Sequence, residues 1–283
     1  MIRPSSACLP WYDLDEVGRP TDELWSTMTA ALRCAGVEGV PNELDRETPY
    51  DELWGRDDFL FGQACGFDVL FTSPERLRIV ATPRYRARGR RGSTYRSFVL
   101  VRNSSRVENL TGLRGSRLAI NSLTSHSGAM SLLALVHDGR ATRPFFSHIR
   151  LSGSHEASLH DLVTGRVDAV AVDCVTHALL ARYRPRALTG TRILLETAEA
   201  PAPPFVTRKS APDALVGALR DALHESLTRG VGRPLLLEDA DVLPLDAYRV
   251  LVEPARIATT ALEDHGIAPA SLSAGAECPS GRR

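Results

Sequence analysis

Lysine is almost absent from this chain of 283 residues, in which Lys209 is the only one and arginine supplies nearly all of the positive charge. Chemistry that needs a reactive lysine, such as Schiff-base formation, is therefore limited to one candidate. Net charge is also lacking, because 34 basic residues match 34 acidic residues. A neutral chain is not drawn to nucleic acid or to an anionic membrane surface, so we expect no nucleic-acid partner.

Cysteine pairs and long apolar runs are missing as well. The five cysteines are widely spaced, odd in number and without a Cys-x-x-Cys pair. This pattern argues against a disulfide framework or a zinc site and fits a reducing compartment. No apolar segment has the length of a signal-peptide core near residue 1 or of a membrane span anywhere in the chain. We therefore expect no direct membrane insertion and, for the chain as written, a cytoplasmic location.

Short apolar runs instead alternate with amphipathic stretches. The predicted strands are residues 7–10, 59–61, 77–81, 98–101, 117–120, 149–152, 167–172, 193–195 and 205–207, and the predicted helices are residues 21–35, 127–138, 155–165, 175–183 and 213–227. Such alternation is typical of an α/β fold with mostly parallel sheets flanked by helices, whose ligands bind beyond the carboxyl ends of the strands. Residues 268–283 are rich in Ser, Ala, Pro and Gly and are predicted to be a disordered tail.

The strongest local pattern is the polar turn from Asn121 to Gly128, which follows one predicted strand and precedes a helix. Its hydroxyls on Thr124, Ser125 and Ser127 lie at the positive end of a helix dipole, which is the arrangement that binds an oxyanion. The simpler interpretation is that Ser127 is an ordinary helix N-cap. Local sequence leaves both interpretations open.

Two further strand-to-helix junctions carry candidate groups. His155 follows the possible cap Ser154, so it either donates into a cleft or is an exposed first-turn histidine. Asp173 ends an apolar strand, where it either receives an amine or hydroxyl of a ligand or caps the next helix. A metal site is not expected, because His155 and His160 are five residues apart and do not share a helix face.

Taken together, these segments resemble the phosphate/phosphonate family of ABC-transporter substrate-binding proteins. The matching pieces are Leu-Pro-Trp-Tyr-Asp at 9–13, Gly-Gln-Ala-Cys-Gly-Phe at 62–67, Ala-Thr-Pro-Arg-Tyr at 81–85, Tyr-Arg-Ser at 95–97, Leu-Arg-Gly at 113–115, Ser-His-Ser-Gly at 125–128, Gly-Ser-His-Glu-Ala at 153–157, Val-Asp-Ala at 167–169 and Pro-Pro-Phe-Val-Thr at 203–207, with Asn121 and Asp173. The resemblance implies the two-lobed type II periplasmic-binding-protein fold, with lobe I formed by residues 1–98 plus 205–283 and lobe II by residues 99–204. It departs from the family pattern at His126, where a small polar residue is usual.

The resemblance also implies a function, which is non-enzymatic binding of a small oxyanion between the lobes without a cofactor or metal. The expected ligand-binding residues are Tyr12, Gln63, Tyr95, Thr124, Ser125, His126, Ser127, His155 and Asp173. It implies a small anionic ligand, an ABC permease as a partner and a periplasmic location, in contrast to the location expected above. Two alternatives stay open. One is a cytoplasmic enzyme on the same fold. The other is a ligand sensor, which would need a DNA-binding element, and the acidic first 60 residues argue against such an element there.

Overall fold

The computed structural model describes residues 5–136 and 144–268. Its strands in chain order are β1 (Ser6–Cys8), β2 (Phe59–Gln63), β3 (Leu77–Tyr85), β4 (Thr94–Tyr95), β5 (Ser97–Arg102), β6 (Arg117–Ile120), β7 (His148–Leu151), β8 (Ala169–Asp173), β9 (Thr191–Glu196), β10 (Ala200–Pro201), β11 (Phe205–Arg208) and β12 (Leu237–Asp241). Its α-helices are α1 (Asp15–Cys34), α2 (Tyr50–Trp54), α3 (Ser131–Val136), α4 (His155–Val163), α5 (Cys174–Tyr183), α6 (Asp213–Thr228) and α7 (Val252–Glu263). None of these helices combines the length and the hydropathy that a bilayer crossing requires.

The strands form two five-stranded sheets with the orders β1-β2-β11-β3-β12 and β7-β6-β8-β5-β9. Four strands of the second sheet and three of the first share one direction, as predicted for mostly parallel sheets. Five of the eight ladders in these sheets, within the described residues, are nevertheless antiparallel. Four of them arise because β5 and β11, which carry the chain from one sheet to the other, run against both of their neighbours, and the fifth is β12 against β3.

The two sheets are joined by a short antiparallel ribbon in which β10 pairs with β4. Just after this ribbon the chain enters β5 of the second sheet in one pass and β11 of the first sheet in the other. The α/β, two-lobed architecture is the fold class expected from the sequence. The lobe boundaries at residues 98/99 and 204/205 stay a prediction.

The structure differs from the predicted elements at several places. Helix α1 starts six residues before the predicted residue 21, because Asp15 and Glu16 stabilise its positive end, and it continues through Pro20 in its second turn even though Pro20 has no N–H to donate. Helices α2 and α7 and strands β4, β10 and β12 were not predicted. Helix α7 packs against α3, and its alanines enter the core beneath the second sheet rather than the first. Residues 269–283 of the predicted tail lie outside the described residues.

The parallel core of the second sheet sets up the functional region. Strands β7, β6 and β8 are neighbours with one direction, so their carboxyl ends meet at one edge. The segments that leave this edge begin at Asn121, at Ser152 and directly after Asp173. They are the three junctions that the sequence pattern indicated.

Candidate functional site

A cavity of about 320 Å³ lies where these strand ends face segments from the first sheet. From the second sheet it is lined by Asn121, Ser122, Thr124, Ser125, Ser127, Gly153, Ser154, His155, Glu156, Asp173 and Thr176, with Tyr95 from the connecting ribbon. From the side of the first sheet it is lined by Pro10, Trp11, Tyr12, Asp13, Leu14, Tyr50, Cys65, Asp68 and Pro203. Seven of the nine predicted residues therefore share one cavity, and Gln63 and His126 do not line it.

The turn after β6 ends in a helical segment that opens with a wide, π-type turn from His126 to Met130. In this turn the N–H of Met130 donates to the carbonyl of Ser125, five residues earlier, at 3.1 Å. The cap is Ser125 rather than Ser127, since the Ser125 Oγ accepts from the N–H of Gly128 at 3.0 Å. Such turns are frequent at functional sites. This one places Ser127 in the lining of the cavity, with its Oγ 3.5 Å from the Ser125 Oγ.

Gly128 is required at this turn by close packing. A Cβ atom placed on it would lie 1.8 Å from Asn121 Oδ1 and 3.0 Å from His155 Cε1. Asn121 Oδ1 is buried without a hydrogen-bond partner among the described residues. The glycine therefore lets the helix start approach the end of β6 and the ring of His155, which brings the hydroxyls and the imidazole together.

His155 connects the Ser127 hydroxyl to Asp173. Its Nε2 atom lies 3.2 Å from Ser127 Oγ and 3.3 Å from Asp173 Oδ2. Burial lowers the pKa of His155, and the charge of Asp173 opposes that shift. The neutral ring can thus present one N–H at this position.

The Ser127, His155 and Asp173 side chains do not form a nucleophilic triad. In a triad the carboxylate binds one ring nitrogen and the hydroxyl binds the other, whereas here both lie beside Nε2. The Nδ1 atom is buried without a hydrogen-bond partner among the described residues. The arrangement can donate hydrogen bonds to a ligand, but it does not pass a proton through the ring.

Asp173 is chiefly a helix cap. Its Oδ1 accepts from the N–H groups of Val175 and Thr176 at 2.9 Å, and its Oδ2 accepts from the Thr176 hydroxyl at 2.6 Å. The capping interpretation of the sequence is therefore realised together with the contact to His155. The carboxylate orients the ring and has little capacity left for a ligand group.

Aromatic rings form the opposite side of the cavity. Tyr12 lies in the left-handed region at φ 65°, which is strained for a tyrosine, and its ring meets Tyr85 edge-on at 5.1 Å. Tyr50 packs on Trp11 with ring centroids 5.2 Å apart. Burial raises the pKa of the Tyr12 and Tyr95 phenols well above the usual value, so both remain neutral donors.

No arginine or lysine is found among the described residues that line the cavity, while four carboxylates are. Asp13 pairs with Arg46 and Glu156 pairs with Arg184, and Asp173 caps a helix. Asp68 differs, because within residues 5–136 and 144–268 no ion pair reaches it and burial raises its pKa to about 6. Its hydrogen bonds come from the Thr72 hydroxyl at 2.7 Å and the N–H of Cys65 at 3.3 Å.

The two predicted residues outside the lining have structural roles. Gln63 is buried and donates to the Tyr85 hydroxyl at 3.0 Å and to the Pro203 carbonyl at 2.8 Å. It therefore supports the ring against which Tyr12 packs. His126 is buried beside Tyr95, and burial lowers its pKa to about 4, so it is a neutral core residue.

Sequence reasoning missed Tyr50, Asp68 and Ser122 as lining residues. Ser122 lay inside the quoted turn, and its hydroxyl lies 3.0 Å from that of Thr124. The Tyr50 and Trp54 pair at four-residue spacing was an available signal for an aromatic helix face. Asp68 had no such signal, because its burial depends on packing between distant segments. Cys65 lines the cavity, but burial raises its thiol pKa to about 12, so it stays protonated.

A family model described as the phosphonate ABC-transporter periplasmic substrate-binding protein matches residues 64–238, which is more than half of the chain. The chain belongs to this family. No curated protein is similar enough to count as a match to this family member. Groups of three or more His, Cys, Asp or Glu side chains able to hold a metal ion are absent from the part of it that the structure describes.

Solved structures share the fold of this family member at low identity. XAC2383 from Xanthomonas citri, bound to ATP, is 14% identical with a TM-score of 0.67, over 92% of this chain and 99% of that one. A binding protein component of an ABC phosphonate transporter from Pseudomonas aeruginosa is 13% identical with a TM-score of 0.69, over 93% and 88%. PhnD1 from Prochlorococcus marinus, in complex with methylphosphonate, is 14% identical with a TM-score of 0.69, over 89% and 97%. The two-lobed fold expected from the sequence is thereby confirmed.

Proposed function

We propose that this family member binds a small oxyanion, such as phosphate, a phosphonate or a related acid, as the substrate-binding component of an ABC-type uptake system. The observation that carries the proposal is the convergence of the Ser125 and Ser127 hydroxyls, with His155 behind Ser127, on one cavity at the start of a helical segment. The first N–H groups of a helix have no acceptor within the helix and bear partial positive charge. An oxyanion is the ligand class that satisfies such donors.

The hydrogen bonds of His155 direct the Ser127 proton toward the ligand. When Nε2 carries the imidazole proton, that proton is shared between Ser127 Oγ and Asp173 Oδ2. The Ser127 hydroxyl then accepts from the ring and keeps its own proton for a third partner. An oxyanion in the cavity supplies that partner, and the Tyr95 and Thr124 hydroxyls supply further donors around it.

Binding would also hold the lobes together. Donors come from the second sheet, while Tyr12 approaches from the first sheet, so a ligand that touches both stabilises only the closed arrangement. A permease partner would recognise the closed arrangement of the lobes. The proposed lobes are residues 1–98 with 205–283 and residues 99–204, with α7 packed across onto the second.

The charges of the cavity favour a particular kind of oxyanion. Because no arginine or lysine lines the described wall, a fully charged dianion finds no counter-charge there. Asp68 lies next to Tyr50 and has no cationic partner among the described residues. A ligand with an anionic head and an ammonium tail would satisfy both ends, since carboxylates and aromatic faces both attract ammonium groups.

Calorimetry on a panel of phosphate, sulfate, methylphosphonate and an aminoalkylphosphonate tests the proposal. For a bound panel member, Ser127→Ala removes a donor to a charged group, which costs about 1.5–3 kcal/mol, or roughly tenfold to over a hundredfold in affinity. Ser125→Ala should act alike. The matched control is Ser131→Ala on the same helical segment, because its hydroxyl donates to the Ser127 carbonyl and does not line the cavity.

Two outcomes would contradict the proposal. One is that no member of the panel changes the thermal midpoint, although a ligand at 100 times its Kd should add about 2.7 kcal/mol of stability. The other is that Ser125→Ala and Ser127→Ala bind like Ser131→Ala, which would make the turn a cap alone. Recovery of chemically altered ligand after incubation would instead favour an enzyme.

A further inference from the structure

Arg184, directly after helix α5, contacts carboxylates from two different helices. Its Nε atom lies 2.7 Å from Glu16 Oε1, and its Nη2 atom lies 3.2 Å from Asp15 Oδ2. Its Nη1 atom lies 2.6 Å from Glu156 Oε1. Asp15 and Glu16 are in the first turn of α1, and Glu156 is in the first turn of α4. One guanidinium therefore joins three carboxylates on two helices.

These two helices belong to opposite walls of the cavity. Helix α1 packs on α6 beside the first sheet, whereas α4 packs on β6 and β8 of the second. The residues just before α1, from Tyr12 to Leu14, line the cavity, and so does Glu156. Arg184 is outside the described lining. It can therefore affect a ligand only through the position of the two walls.

The contact between the two walls depends on the positive charge of Arg184. Glu16 and Glu156 each lie within 2.7 Å of the guanidinium, so without it they would face each other as like charges across the cleft. The Arg184 side chain is only 26% exposed, which strengthens the contact relative to a fully solvated pair. At the same end of α5, the Tyr183 hydroxyl donates to the Pro234 carbonyl at 2.8 Å, and this bond holds the end of α5 that carries Arg184 in place.

We propose that Arg184 is a positioning residue that holds the two walls of the cavity together and so raises the affinity for the ligand without touching it. The affinity part rests on the proposed function, because it is measured with an oxyanion. The wall-to-wall part does not, since it concerns the ligand-free protein.

The test compares Arg184→Gln and Arg184→Lys with the parent and with Arg229→Gln. Arg229, the residue after helix α6, pairs with Glu225 of that helix, so its substitution removes an exposed ion pair that does not connect the two walls. Small-angle scattering of the ligand-free proteins should show a larger radius of gyration for Arg184→Gln alone. Affinity for whichever panel oxyanion binds the parent should fall roughly three- to tenfold in Arg184→Gln, the scale of one partly exposed ion-pair network. Lysine, a point charge, should restore only part of it.

The dependence of affinity on ionic strength is a second measurement, and a merely structural role of Arg184 would leave it unchanged. At high ionic strength the parent should lose affinity toward the level of Arg184→Gln, and the affinity of that variant should change little. If Arg184→Gln has the parent's radius of gyration and affinity, the proposal is wrong. If Arg184→Gln does not fold, Arg184→Lys and the salt series of the parent decide, and an unchanged radius in both overturns it. If the parent binds no oxyanion, the proposed function fails while the scattering comparison still decides the role of Arg184.

Discussion

Gly128→Ala is the substitution whose effect follows most directly from the geometry of the cavity. The added methyl carbon would lie 1.8 Å from Asn121 Oδ1, 2.6 Å from Asn121 Cγ and 3.0 Å from His155 Cε1. Contacts between such atoms are normally near 3.5–4.0 Å, so the Asn121 side chain must move by more than an ångström inside a packed region. Forced rearrangement of this kind costs about 1–3 kcal/mol.

The expected result is a thermal midpoint lower by roughly 4–8 °C, which corresponds to about 2 kcal/mol in a protein of this size or slightly smaller. Oxyanion binding should weaken together with it, because the helix start can no longer approach His155. Gly217→Ala is the matched control. It lies in helix α6 with no atom within 4 Å of its added methyl carbon, so it should gain about 0.5–1 kcal/mol.

A second substitution tests the cause of the loss. Asn121→Ala removes the two atoms closest to the added methyl carbon. In the Asn121→Ala background, Gly128→Ala should therefore cost much less stability than it costs in the parent. Differential scanning fluorimetry of the four proteins measures this coupling. The reasoning is refuted if Gly128→Ala is as stable as Gly217→Ala, or if the two losses simply add.

Three other expectations concern buried ionisable groups. Asp68→Asn should abolish an approximately tenfold preference for an aminoalkylphosphonate over the matched alkylphosphonate, and titration calorimetry of the parent should show the same loss below pH 6, where the Asp68 carboxyl with its raised pKa takes up a proton. For His126, whose pKa burial lowers from 6.5 to about 4, the stabilising contribution is fully present above pH 6.5 and is lost as pH falls to 4. The stability of the parent relative to His126→Gln should therefore drop by about 3 kcal/mol over that interval in denaturant melts, and a constant difference would contradict the assignment. Exposed Cys34 should react with a thiol reagent in the folded protein while buried Cys65 stays protected until denaturant is added, as peptide mass mapping can check.

The order of elements was largely predictable because alternating apolar runs report burial directly. Strand β6 was predicted at the residues where it lies, and the polar turn after it was singled out as either an oxyanion site or a helix cap. The role of Asp68 could not be predicted, since nothing near it in sequence shows that its carboxylate is enclosed. Helix α7 was missed although its buried Ala255, Ala258, Ala261 and Leu262 recur at helical spacing; what sequence could not show is that this face packs against α3 of the second sheet.

Local sequence also could not choose between a cap and a ligand contact. At Asp173 the structure favours the cap, because two N–H groups and a hydroxyl of the next turn meet the carboxylate. At Ser125 the cap and the cavity position coincide. The distinction depends on which other segments face the same hydroxyl, and this is fixed by tertiary packing rather than by the turn itself.

The insertion of β11 between β2 and β3 has a consequence for how the chain is made. The second sheet uses only residues 97–196, which leave the ribosome as one uninterrupted stretch, so it can close before synthesis ends. The first sheet cannot close until Phe205–Arg208 arrives, more than a hundred residues after β3. The edges of β2 and β3 that pair with β11 therefore stay unpaired during this part of translation. In this interval the nascent protein is most exposed to aggregation and to chaperone binding.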